Sequence, residues 1–83
     1  MNLTIRELIA QHGRLPVDIA TVSDTQDLYS SGLTSFSAVQ LMLALEESFD
    51  IEFPERMLNR RTFESIAAIA GAIAEVAPAK AVA

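Results

Sequence analysis

Few side chains in this sequence are equipped for covalent chemistry. There is one histidine, His12, and no cysteine. No nucleophile stands at a spacing that pairs it with His12 as a base. Near the end of a predicted first helix, His12 reads as a helix-end residue whose charge suits the dipole there. Without thiols there is neither a disulfide framework nor a thiolate metal site. The acids from Glu46 to Glu55 lack the Asp-x-Asp-x-Asp-Gly spacing of a calcium loop. An enzyme is therefore not expected. The residue that stands out is Ser35, by its position among seven serines: it opens the strongest helix signal in the chain. Its ordinary reading is an N-cap. Its chemical reading is an attachment point, because a phosphodiester on its Oγ would lie at the positive end of the helix dipole, beside free backbone N–H groups.

The helix that follows, from Ser35 to about Phe49, has no glycine or proline and one β-branched residue, Val39. At about 100° per residue, Ala38, Leu41, Met42, Leu45 and Phe49 fall in one arc, assigned to the core. Phe36, Gln40, Leu43 and Glu47 recur at i, i+4, i+7 and i+11 on the opposite arc. An aromatic and an aliphatic framed by Gln40, Glu46 and Glu47 read as a docking surface for a partner. The competing reading is that a loop or short helix folds over Phe36 and Leu43.

The remaining elements must hold this helix. Leu3, Ile5, Leu8 and Ile9 make one stripe over residues 3–12, capped by Asn2 or by a Thr4–Glu7 box, with Gly13 as the C′ residue. Residues 14–34 lack periodicity, and Leu15, Val17, Ile19, Val22, Leu28 and Leu33 read as anchors pinning a long loop. Thr34 or Ser35 caps the second helix. Pro54, at N1, starts a short helical piece near Glu55–Asn59. Thr62 caps a last helix with the stripe Phe63, Ile66, Ala70, Ile73 and Val76. The expected fold is all-α: a small four-helix bundle of three main helices, a short third helix and a long first loop. Residues 1–77 form the one domain and 78–83 a disordered tail.

Composition narrows the function classes. The chain has 83 residues, 51% hydrophobic, with a net charge of -5. Eight of its eleven acids, and none of its six bases, lie between Arg14 and Arg56. That surface would repel a nucleic-acid backbone and attract a basic partner patch. Keeping a small apolar protein in solution is the alternative use of those acids. No apolar run approaches the roughly 20 residues of a membrane span. Glu7 stands where a leader would be basic and then apolar, so the cytoplasm is the expected compartment.

The run Asp27-Leu28-Tyr29-Ser30-Ser31-Gly32-Leu33-Thr34-Ser35-Phe36 resembles the modification site of acyl carrier proteins. The family pattern is Gly-x-Asp-Ser-Leu, then a helix ending Leu-Glu-Glu-x-Phe, then Ile and Pro. Leu45-Glu46-Glu47-Ser48-Phe49, Ile51 and Pro54 supply that continuation at the matching spacing. The resemblance covers residues 3 to about 76. It implies a four-helix carrier domain whose Ser35 bears 4′-phosphopantetheine, placed there from coenzyme A by a phosphopantetheinyl transferase. The arm's thiol would hold an acyl or aminoacyl group as a thioester, which suits a chain that has no thiol of its own. Thr34, Phe36, Gln40, Leu43, Glu46 and Glu47 would orient partner enzymes, with a monomer passing its cargo to a downstream acceptor enzyme.

Three positions depart from the family pattern. Thr34 replaces the usual Asp, Phe36 the usual Leu, and Gln40 the Glu common in fatty-acid carriers. The start of the docking helix is thus less acidic than in those carriers. Gly-Leu-Thr-Ser-Phe together with Leu-Met-Leu-Ala-Leu-Glu looks most like the small stand-alone aminoacyl carrier proteins. Those are charged with glycine or alanine by an amino acid:carrier protein ligase that resembles the core of seryl-tRNA synthetase. A conventional fatty-acyl or peptidyl carrier, and a helical interaction module in which Ser35 is only a cap, are the alternatives. A small polar cargo would gain little from an apolar cavity, which favours an arm lying outside the bundle.

Overall fold

The structure is a computed structural model that describes the side chains of residues 1–76. The expected tail at 78–83 lies outside those residues. Three α-helices carry the fold: α1 (Asn2–Leu8), α2 (Ser35–Phe49) and α3 (Ile66–Val82). No strand occurs among the described residues. Ile5, Leu8 and Ile9 from the first helix meet Leu41 and Leu45 of α2 and Ile66, Ile69 and Ile73 of α3 in one buried core. Phe53 and Phe63 close its end edge to face, with centroids 5.5 Å apart at 83°.

The first helix does not run in α form to residue 12. It widens into a π-turn over Ile9–Gly13, and Arg14, not Gly13, takes the left-handed conformation at φ 54°. The wider turn moves the reversal one residue along. An added Cβ at Gly13 would sit 3.1 Å from Ile9 Cγ2, a tight contact that Ile9 would have to relieve by a few tenths of an ångström. Neither Asn2 nor Thr4 caps α1. Met1 occupies the cap position with no side-chain hydrogen bond.

The long loop lies flat on the bundle. Val22, Leu28 and Leu33 are buried, and Leu15 and Ile19 pack against the core, whereas Val17 is exposed, contrary to its expected anchoring role. Arg6 ties the loop to α1: its guanidinium donates to the carbonyls of Ile19 (3.0 Å) and Val22 (2.7 Å) and to Asp24 Oδ1 (2.6 Å). Two backbone bonds fix the loop to the start of α3, from Leu28 N–H to the Glu64 carbonyl and from Ala67 N–H to the Asp24 carbonyl. These bonds hold the loop on α1 and the start of α3.

The short third helix is two 3₁₀ turns, Glu55–Met57 and Arg60–Phe63. Pro54 is the N-cap of the first turn and not its N1 residue. Leu58 leaves helical geometry at ψ 69°, so only i→i+3 bonds form before it. Asn59 Oδ1 then accepts the Thr62 N–H at 3.1 Å, which places the predicted start signal at Thr62 inside the second turn. Ser65 opens α3 instead, its Oγ accepting the Ala68 N–H at 3.0 Å.

Candidate functional site

Thr34 is the N-cap of α2. Its backbone is extended (φ -95°, ψ 165°), and its Oγ1 accepts the Ser37 N–H at 3.1 Å. Ser37 is buried, and its Oγ accepts the Thr34 hydroxyl at 3.1 Å. Ser35 is therefore not a cap. It is the first helical residue, exposed, and its hydroxyl has no hydrogen-bond partner among the described residues. The N–H groups of Ser35 and Phe36 meet no acceptor there either, leaving the orphan donors expected at a helix start.

The approach to Ser35 is rigidly built. Asp27 folds its carboxylate back onto the chain, accepting the Tyr29 N–H at 2.9 Å and the Ser30 hydroxyl at 3.0 Å. The Ser30 hydroxyl holds the Asp27 carboxyl below its ordinary value; desolvation opposes it, and the Tyr29 and Ser30 N–H groups and nearby Arg60 add to the lowering. Gly32 turns the chain at φ 119°, with Pro16 so close that a Cβ would collide with its ring.

Beside Ser35 lies an open depression of about 380 Å³ between α2 and the 3₁₀ turns. It is lined by Tyr29, Ala38, Val39, Met42 and Phe63, with Leu58, Asn59 and Arg60 on the turns. The Arg60 guanidinium sits 4.1 Å above the centre of the Tyr29 ring. Burial raises the Tyr29 phenol above its ordinary value; Arg60 opposes this, while Asp27 and Glu64 add to it. Arg56, Arg60 and Arg61 make these turns a cationic edge.

Of the predicted docking residues, Thr34 is taken up by the cap of α2, and the other five divide into three groups. Phe36 projects alone, 65% exposed. Gln40, Leu43 and Glu47 come together in a second groove of about 400 Å³, with Leu8, Gln11 and His12 on its far wall. No loop covers Phe36 or Leu43. Glu46 is half-buried and accepts the Phe53 N–H at 2.9 Å, tying α2 to the following chain. The sequence reading missed Val39 and Leu58, which are 50% and 49% exposed. Val39 lies three residues after Phe36 and four before Leu43, a spacing that joins it to their face. Leu58 carried no comparable signal, because no periodic element contains it.

An exposed, unpartnered hydroxyl at a helix start, a neighbouring cation and an open depression fit a side chain extended by a long anionic arm. The description "phosphopantetheine attachment site" matches residues 4–73. An aminoacyl carrier protein of Agrobacterium fabrum is 58% identical over 69 residues, covering 83% of each chain. Two solved structures are similar over most of their length. One is a crystal structure of an engineered Bradyrhizobium japonicum glycine:[carrier protein] ligase complexed with a carrier protein from Agrobacterium tumefaciens and AMP. The match has a TM-score of 0.88 and 54% identity, covering 89% of this chain and 99% of that one. The other is a solution structure of an Agrobacterium tumefaciens protein, with a TM-score of 0.78 and 51% identity over the whole of both chains. The chain belongs to the phosphopantetheine-binding carrier family, and its prosthetic group is 4′-phosphopantetheine. No helix among the described residues is long and apolar enough to cross a membrane.

Proposed function

We propose that Ser35 carries the 4′-phosphopantetheine arm and that the arm presents glycine, or another small amino acid such as alanine, to partner enzymes in the cytoplasm. The observation that carries this reading is the division of labour at the start of α2: Thr34 caps the helix and leaves the Ser35 hydroxyl exposed and unbonded. In the attachment step Ser35 Oγ attacks the phosphorus of coenzyme A that bears the pantetheine. The P–O bond to 3′-phospho-AMP breaks, and the serine proton leaves to a base of the phosphopantetheinyl transferase. Once attached, the arm supplies the thiol that the chain lacks, and that thiol holds the amino acid as a thioester.

The glycine assignment draws on the ligase complex that shares this fold at 54% identity. A seryl-tRNA-synthetase-like amino acid:carrier protein ligase is the loading enzyme, and a downstream acceptor enzyme takes the cargo. Thr34, Phe36, Gln40, Leu43, Glu46 and Glu47 form the docking side, joined by Val39. Glu46 acts chiefly by holding the backbone that follows α2, and the exposed Phe36, Val39 and Leu43 are the apolar contacts. The protein works as a monomer of residues 1–77.

Intact mass spectrometry tests the proposal. Incubation with coenzyme A and a broad-specificity transferase adds one phosphopantetheine to the wild type and none to Ser35→Ala. Adding a glycine:carrier protein ligase, ATP and glycine or alanine then adds one aminoacyl group. An arm on Ser35→Ala, or an unmodified wild type beside a modified control carrier, refutes the assignment.

A further inference from the structure

One arginine of the cationic edge, Arg60, rests on an aromatic ring. Arg6 pairs with Asp24, and Arg56 with Glu75. Arg60, like Arg14 and Arg61, forms no ion pair with a carboxylate among the described residues; what sets it apart is its contact with the face of Tyr29. Asp27 and Glu64 are the acids whose fields reach this pair. The Asp27 carboxylate is already satisfied by Tyr29 and Ser30. A guanidinium resting on a half-buried ring is held more weakly than one hydrogen-bonded to an anion. Arg60 is also exposed and lines the same depression as Ser35. Its planar fork of donors matches a phosphate oxygen pair in a way that a lysine does not.

We propose that Arg60 is the positioning residue for the root of the prosthetic arm. It leaves the Tyr29 face to hydrogen-bond the phosphodiester on Ser35 and so lays the first part of the arm along the depression between α2 and the 3₁₀ turns. This rests on the assignment of the arm to Ser35. Val39, Met42, Leu58 and the released face of Tyr29 then offer apolar surface to the pantetheine chain. The thiol end stays outside the bundle, because the depression is open and not an internal cavity. Before modification the ring holds the cation at the side of the depression that Ser35 also lines, and the anion draws it from there.

The sole tyrosine and the absence of tryptophan make the test direct, because tyrosine emission comes from Tyr29 alone. Wild type, Arg60→Gln, Arg60→Lys and Arg61→Gln are compared in unmodified and modified forms. Intact mass confirms loading, and circular dichroism confirms folding. Arg61→Gln removes the same charge one residue away, outside the depression. In wild type and Arg61→Gln, attaching the arm changes Tyr29 emission, and the change shrinks in 1 M salt, where the Debye length is about 3 Å. In Arg60→Gln that change is lost, and the phosphorus NMR line shifts and narrows as the phosphodiester is freed. Arg60→Lys keeps the charge without the fork and lies between the two. If Arg60→Gln does not fold, the wild-type and Arg60→Lys comparison decides. Identical phosphorus spectra for Arg60→Gln and Arg61→Gln, or wild-type emission indifferent to the arm, overturn the positioning role while leaving the Ser35 assignment standing. A wild type that gains no arm mass overturns both.

Discussion

Truncating Phe36 to alanine separates docking from folding. The ring is 65% exposed, so only about a third of its surface is buried on folding. Full burial of such a side chain stabilises by about 1.5–3 kcal/mol, so the truncation costs about 0.5–1 kcal/mol of stability. The better helix propensity of alanine offsets up to about 0.5 kcal/mol of that. The net loss is then about 0.5 kcal/mol or less, a fall in Tm of roughly 2–4 °C for a domain of this size. Losing an interface anchor costs about 1–2 kcal/mol of binding, which is about 5- to 30-fold. The assay is the initial rate of aminoacylation of modified carrier by its loading enzyme, run against carrier concentration, with thermal melts of the same samples. The expectation is a kcat/KM lowered by about 5- to 30-fold with Tm almost unchanged. A kcat/KM within about twofold of wild type refutes the docking role. A Tm fall beyond about 8 °C shows that the ring is a folding anchor.

Three further outcomes are expected. Thr34→Ala removes the cap and lowers stability in urea by about 1 kcal/mol, whereas Ser35→Ala stays within about 0.5 kcal/mol; equal losses would contradict the geometry at the start of α2. Gly32→Ala forces a Cβ into Pro16 at a left-handed φ and costs about 1–3 kcal/mol, read from the urea midpoint; an unchanged midpoint would show that the turn relaxes. The Asp27 carboxyl has a folded value lowered from about 3.8. Its contribution is therefore complete above that ordinary value and is lost as pH falls through the lower folded one. Asp27→Asn should flatten the acid limb of Tm measured between about pH 6 and 2.5, and superimposable limbs would refute the argument.

The helices that bury apolar stripes were legible in the sequence. The arc Ala38, Leu41 and Leu45 is buried, as are Phe63, Ile66 and Ile73, because periodicity reports directly on which side faces the core. Ser35 was legible by position, but its state was not. Thr34 and Ser35 are both good caps, and only the backbone angles decide that Thr34 takes the role. Turn types were the least legible feature. The π-turn at Ile9–Gly13 and the two 3₁₀ turns depend on where the chain must travel next, which no local propensity records. Glu46 was read as a docking acid because its side chain is charged; the Phe53 N–H it accepts becomes its neighbour only after the chain reverses at Asp50. Arg60 and Tyr29 are 31 positions apart in sequence, so nothing short of the fold brings them together.

The cationic edge beside Ser35 has a chemical consequence for the cargo. A thioester acylates amines and thiols, so a carrier is at risk of acylating itself. The edge is built from Arg56, Arg60 and Arg61, and guanidinium groups stay protonated and non-nucleophilic. The chain has no cysteine, and the edge itself contains no lysine. With the arm on Ser35, as proposed, the edge would place positive charge beside it without itself supplying an amine to intercept the cargo. Arg60→Lys would keep the charge and introduce one, turning an inert surface into an acceptor for the bound acyl group.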